Sequence, residues 1–108
     1  GCYLGGIRIS CVDSVSIGDE VLMGSTTLID SEVIPHEGTL VDADWKRNHV
    51  RPIKVGSSVW AGINSFILYG ATLEDECVLG AGSVIFDKEA PPRSLLVGNA
   101  ARKVGETR

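Results

Sequence analysis

The sequence predicts an all-β fold, a parallel solenoid of short strands and tight corners, on three observations. Counting from Val55, steps of six land on Ala61, Ile67, Leu73, Leu79 and Ile85, all apolar. Four residues after each of the first five stand Val59, Ser65, Ala71, Cys77 and Ser83, all small or β-branched. A glycine or an acid often follows the first apolar residue, as at Gly18, Gly24, Asp30, Gly56, Gly62, Glu74 and Gly80. A helix would need apolar spacings of three and four, and an ordinary strand alternates by two over longer spans. Period six instead fits a short strand and a corner, three such units closing one triangular turn. The aliphatic residue points into the prism, the small one sits near the corner, and glycine serves the turn because it tolerates positive φ. No rung buries its own face, so stacked rungs make the core. A β-sandwich of short strands is the alternative, but nothing in a sandwich enforces strict sixes.

The elements follow in chain order. The upstream half carries the period in its own phase, Cys11, Ile17, Met23 and Ile29, with Val15, Val21, Thr27 and Val33 at the fourth places. This predicts coils over about residues 5–34, with Cys11 and Ile29 facing inward. Val55 stands 26 positions after Ile29, two more than four hexads, so the period breaks and residues 35–52 read as a loop. Loops longer than about 12–15 residues in a compact domain tend to be functional or disordered. Coils resume over 53–86, and a tail covers 87–108. The 108 residues allow one domain, 1–108.

Composition narrows the class of function. With 44% hydrophobic and 22% charged residues the chain is a globular one. A net charge of −4 argues against nucleic acid as the main partner, because phosphate binding needs a basic face. No apolar run approaches the roughly 20 residues that span a bilayer, and no secretory signal is read ahead of the repeats. Gly1 in place of Met is what a trimmed or partial chain would show. Cys2, Cys11 and Cys77 are odd in number and lack metal-ligand spacing, which favours reduced thiols and a cytoplasmic location. Cys77 falls on a small corner position, and buried thiols of this kind are packing residues.

The stretches PIKVGSSVWAGINSFILYGATLEDECVLGAGSVI and APPRSLLVGNAARKV, with GGIRISCVDSVSIGDEVLMGSTTLID upstream, resemble the hexapeptide-repeat acyltransferases, most of all the sugar and capsule O-acetyltransferases. The resemblance covers nearly the whole chain and is densest from Pro52 to Lys103. It implies a left-handed parallel β-helix, a hand that departs from the usual right-handed crossover. It also implies a homotrimer with clefts shared between subunits, acetyl-coenzyme A as acyl donor, and a small acceptor, a sugar or other alcohol or amine. A metal is not expected.

In that family a loop leaves the helix and carries or flanks a catalytic histidine. Transfer to a hydroxyl needs a base, and neutral imidazole is present at physiological pH. His36, in IDSEVIPHEG, is the base that the resemblance implies. It stands six residues after Asp30, where the family places its histidine about four after the corresponding acid. His49, in KRNHVRP, is the other candidate. Asp30 or Glu32 is placed to orient an imidazole, as carboxylates do in triads, although acids at the position of Asp30 are also routine corner residues.

No P-loop or dinucleotide fingerprint is present. By the resemblance, Ala81, Gly82 and Ser83 of GAGS border the pantetheine arm of coenzyme A, and Trp60, Ala61 and Gly62 of VWAG form the corresponding corner further up, with Trp60 pointing outward. Coenzyme A also carries phosphates that call for cations. Arg102 matches the family's phosphate contact, with Lys103 beside it. Lys88 is a looser match, in a segment one residue longer than usual, and Arg93 and Arg108 add charge to the same tail. A second basic cluster, Lys46, Arg47, Arg51 and Lys54, reads as a solvated face or as a phosphate contact. Two other classes of function stand beside the acetyltransferase. One is a non-catalytic or truncated solenoid trimer. The other is a carbonic anhydrase on the same helix, disfavoured because two histidines fall short of the three zinc ligands it requires.

Overall fold

The computed structural model describes residues 1–32, 38 and 40–107. Over them the chain winds around a triangular prism. The first coil holds β1 (Tyr3–Gly5), β2 (Arg8–Ser10) and β3 (Val15–Ile17). The second holds β4 (Leu22–Gly24), β5 (Thr27–Ile29) and, after an excursion that contains helix α1 (Ala43–His49), β6 (Ile53–Val55). The third holds β7 (Trp60–Ala61), β8 (Phe66–Leu68) and β9 (Thr72–Leu73), and the fourth β10 (Val78–Leu79), β11 (Val84–Ile85) and β12 (Glu89–Ala90). Equivalent strands stack in parallel into three faces: β1-β4-β7-β10, β2-β5-β8-β11 and β3-β6-β9-β12. β13 (Ser94–Gly98) continues the first face, and β14 (Ala101–Glu106) folds back antiparallel on it. The molecule is elongated, 46 × 24 × 21 Å.

The register accounts for the period. Trp60 lies against Val78 and Phe66 against Val84, eighteen residues apart, so three hexads make one turn. The two expected series supply the core. Val55, Ala61, Ile67, Leu73, Leu79 and Ile85 are all buried, and so are Val59, Ser65, Ala71, Cys77 and Ser83. Full burial of each aliphatic side chain is worth about 1.5–3 kcal/mol, and each gains it only from the coils above and below.

Two expectations need correction. The upstream phase slips by one: Thr26 and Leu28 are fully buried, whereas Thr27 and Ile29 are only partly covered. The side of the prism from Met23 to Leu28 is five residues long, so the small corner place falls on Thr26, whose Oγ1 lies 3.2 Å from Ser65 Oγ. Cys11 is exposed rather than inward, because the inward places of the first coil fall elsewhere, at Leu4 and Ile9, which pair with Met23 and Leu28. Leu4 and Ile9 are themselves 38% and 47% exposed, as they stand at the end of the stack.

The glycines after the aliphatic positions also act otherwise than expected. Gly62 does not take positive φ. A Cβ there would lie 2.6 Å from the backbone nitrogen of Ala81 on the next coil, so what its small size allows is close stacking. Positive φ occurs further round each corner and falls mostly on other residues, Ser25 (φ 50), Asn64 (φ 58), Ser58 (φ 58) and Glu76 (φ 64) among them. That conformation costs about 1–2 kcal/mol for a residue with a Cβ. Hydrogen bonds between stacked corners offset it, such as Ser58 N–H to Asp19 O (2.8 Å) and Glu76 N–H to Ser57 O (2.9 Å).

Helix α1 is short because little holds it. Asp42 caps it by accepting from Trp45 N–H at 2.9 Å, Asp44 stands in the first turn and Lys46, Arg47 and His49 in the last, and none of its residues is buried. Pro52 then holds the chain extended into β6.

Candidate functional site

The three outer faces differ in chemistry, and the difference is written in the residue just before each inward one. On the third face these are Ser16, Lys54, Thr72 and Glu89, a polar row fit for solvent. On the first face they are Tyr3, Leu22, Trp60 and Val78. Tyr3, Leu22 and Trp60 are 65%, 48% and 58% exposed, with Ile63 at 64% beside them. Along this face runs an apolar groove of 560 Å³.

Of the residues expected to border a coenzyme A, Trp60, Ala61, Gly62 and Ala81 line this groove together. Trp60 points outward, as its phase required. Gly62 and Ala81 form stacked corners in contact across two coils. Gly82 and Ser83 are not among the lining residues. Ser83 is buried, and its hydroxyl accepts from Gly98 N–H at 3.0 Å, which fastens the tail to the fourth coil. Lys88 Nζ donates to Ala101 O at 3.5 Å and so points to the tail as well. Arg102 and Lys103 are exposed neighbours on β14 and, as successive residues of a strand, face opposite sides. Sequence reasoning missed Tyr3, Leu22, Ile63 and Val78, although Val78, eighteen residues after the outward Trp60, was a legible signal.

His36 and Arg108 lie outside the described residues. His49 ends α1 and stacks on Trp45, with ring centroids 4.9 Å apart. Its Nδ1 is 3.4 Å from Glu32 Oε1. Asp30 is committed elsewhere. Its buried carboxylate accepts from the backbone N–H groups of Val12, Asp13 and Ser14 at 2.8, 2.8 and 2.9 Å. Cys11 Sγ points at the same carboxylate from 3.8 Å, and partial desolvation together with that charge raises its thiol pKa. Asp30 is therefore a structural residue, and Glu32 is the acid that meets an imidazole.

The two ends of the loop are tied together. Ser31 bridges Val50, Glu32 N–H donates to His49 O, and Arg51 N–H donates to Asp30 O. The Arg51 guanidinium then reaches across coils, holding Asp87 through Nε (2.5 Å) and Nη2 (2.8 Å), touching Glu32 at 3.4 Å, and lying 4.7 Å from the Tyr69 ring centre. The bond to Asp87 raises the arginine's pKa further above its already high value. Of the second basic cluster, Arg51 is thus a staple, and Arg47 pairs with Asp44 at 2.6 Å. Among the described residues no group of three or more His, Cys, Asp or Glu could hold a metal ion, and no helix is long and apolar enough to cross a membrane.

Stacked hexads around a triangular prism make this chain a parallel β-helical solenoid with an apolar groove along one face. Residues 52–87 match the family model described as the hexapeptide repeat of succinyl-transferase. The chain is similar, at 29% identity over 109 residues, to the galactoside O-acetyltransferase of Escherichia coli (strain K12), covering 96% of this chain and 51% of that one. A Staphylococcus aureus (strain MRSA252) protein named for acetyltransferase activity is 45% identical over 53 residues, 49% of this chain and 26% of its own. Among solved structures, a galactoside acetyltransferase in complex with coenzyme A superposes with a TM-score of 0.72 at 33% identity, over 93% of this chain and 48% of that one. A hexapeptide-repeat acetyltransferase of Vibrio cholerae O1 biovar eltor, complexed with acetyl coenzyme A, matches in fold with a TM-score of 0.77 at 24% identity, over 99% and 57%. These matches agree with the resemblance read from the sequence, and the prism is a left-handed parallel β-helix, the fold of the solved hexapeptide-repeat acetyltransferases it superposes on. The chain spans about half the length of the galactoside enzyme, and less of the staphylococcal protein.

Proposed function

We propose that this chain is the β-helical part of an acetyl-coenzyme A-dependent acetyltransferase acting on a hydroxyl, or an amine, of a sugar or similar small acceptor. The observation that carries the reading is the groove in which Trp60, Ala61, Gly62 and Ala81 converge, apolar and narrow-cornered enough to hold a pantetheine arm. Arg102 supplies a phosphate contact, Lys103 facing the other side of β14, and Ser83 and Lys88 fasten the tail that carries Arg102. A second copy closes the open side of the groove, in a homotrimer built on the apolar first face.

The chemistry asks for one base. The imidazole takes the acceptor's proton as its oxygen attacks the thioester carbonyl. Backbone N–H groups at a corner hold the oxyanion, and collapse releases the coenzyme A thiolate, which recovers the proton. His36 is the base in this reading. A second reading gives the role to His49, and its contact with Glu32 favours it, because a carboxylate on Nδ1 leaves Nε2 free to accept.

A thiol-release assay with acetyl-coenzyme A and a panel of sugars tests both. Loss of the base lowers kcat about 10²–10⁴-fold with cofactor binding retained. His36→Ala is expected to show that loss; if His49→Ala shows it instead, the second reading holds. Arg102→Ala is expected to weaken acetyl-coenzyme A binding and spare kcat at saturation. No cofactor binding and no transfer would leave a non-catalytic solenoid.

A further inference from the structure

Across the corner from the apolar groove lies a second one of 710 Å³, on the outer face of β2, β5 and β8, with different chemistry. Its centre is an outward row set by the strand register, in which Arg8 lies against Thr27 and Thr27 against Phe66. Neighbouring strands are about 4.8 Å apart, so Arg8 and Phe66 stand roughly two such spacings from each other. Ser10 and Asn64 flank the row, and no carboxylate lines the groove. Phe66 is 41% exposed. Among the described residues, the side chains of Arg8, Ser10, Thr27 and Asn64 have no hydrogen-bond or ion-pair partner.

We propose that this groove is the acceptor subsite, and that it takes a pyranose bearing an anionic group, a carboxylate or a phosphate. The proposal rests on the acetyltransferase reading and names its substrate class. An exposed aromatic ring offers a platform for the C–H face of a sugar. Hydroxyl and amide groups, which both donate and accept, suit the sugar's own hydroxyls. One ring seated on Phe66 brings an exocyclic substituent over Thr27 to Arg8, whose planar guanidinium matches a carboxylate or a phosphate oxygen pair. With no acid in the lining to neutralise it, Arg8 selects an anion. The groove also shares its edge with the apolar one, since Ser25 and Asn64 line this side of the corner while Gly24 and Ile63 line the other. A sugar here and a thioester there would meet across one turn of backbone.

The test is binding to the full chain without acetyl-coenzyme A, followed by NMR or calorimetry. Methyl β-D-glucuronide and glucose 6-phosphate are compared with methyl β-D-glucoside, and inorganic phosphate is the fourth probe. A charge-assisted pair should make at least one anionic sugar bind about tenfold or more tighter than the glucoside. Which of the two does so tells carboxylate from phosphate. Arg8→Gln should erase that ratio while leaving glucoside binding in place. Phe66→Leu, which keeps apolar bulk without the ring, should weaken all three sugars. Lys54→Gln, a cation on the polar third face, should change nothing. Equal binding of the three sugars, wild-type selectivity in Arg8→Gln, or inorganic phosphate binding as tightly as glucose 6-phosphate would each overturn the proposal. Intact sugar selectivity with no acetyl transfer would count against the proposed function alone. Transfer to neutral sugars with no anion preference would count against this subsite alone.

Discussion

Asp30 shows how one side chain can organise a coil. Three backbone N–H groups of residues 12–14 converge on its carboxylate, and none of them has a strand to pair with at that corner. Removing the acceptor gives up three hydrogen bonds to a charged group, and the donors, on half-buried or exposed residues, turn partly to water instead. Asp30→Ala is therefore expected to lower unfolding free energy by about 1–3 kcal/mol in urea titration, and Asp30→Asn by less, since its amide oxygen still accepts. Cys77 gives a second prediction at this scale. Its thiol is buried with Sγ 3.2 Å from Pro91 O, and burial raises its pKa above the reference value of 9.0. Above pH 9 the unfolded thiol ionises while the folded one keeps its proton. The folded state then binds more protons, and stability falls as pH rises from 9 toward the folded value. Cys77→Ala should flatten that alkaline slope of stability against pH, whatever it costs in packing at neutral pH. An unchanged slope would show that the thiol does not titrate differently in the two states.

Among the elements, the loop stem has the most consequence. Helix α1 has no buried residue of its own, and its seven residues are too few to be stable alone. What holds it is the stem: the Ser31–Val50 bridge, the Glu32–His49 contact and the Arg51 staple to Asp87 on the fourth coil. Arg51→Met keeps the apolar stem of the side chain but cannot hold two carboxylates. Limited proteolysis should then cut within residues 33–50 several times faster than in the wild type, while the thermal midpoint of the β-helix moves little. A large fall in that midpoint together with unchanged cleavage would mean that Arg51 serves the coils and not the loop.

For the whole molecule, the contrast between faces sets the expectation. A polar third face beside a first face carrying Tyr3, Leu22, Trp60 and Ile63 in the open is the pattern of a subunit. If the proposed homotrimer forms on this face, Trp60→Asp and Leu22→Asp should each give monomers at micromolar concentration by light scattering, and Lys54→Glu should not. A monomeric wild type would remove the shared cleft.

Legibility in the sequence followed regularity. From Val55 to Ile85 every inward residue, every small corner and the stacking direction could be read, because each repeat meets the same neighbours and the pattern is reinforced coil after coil. Upstream the same rule went wrong at Ile29, since a side five residues long replaces one of six and only packing against Ile67 selects Leu28 as the inward residue. Of the candidate site, Trp60, Ala61, Gly62 and Ala81 were singled out by the resemblance, and they line one groove because their corners lie one coil apart in the repeat.

The sequence by itself determined the period, hence the prism, the core and the corners that must be small. These are local choices repeated, and every repeat satisfies the same steric rule. Only the tertiary structure decided which outward residues share a face, that Asp30 is spent on backbone donors while Glu32 meets His49, and that Arg51 joins residues on different coils. Those contacts link positions sixteen to thirty-six residues apart through side chains that follow no repeat, so nothing short of the wound chain brings them together.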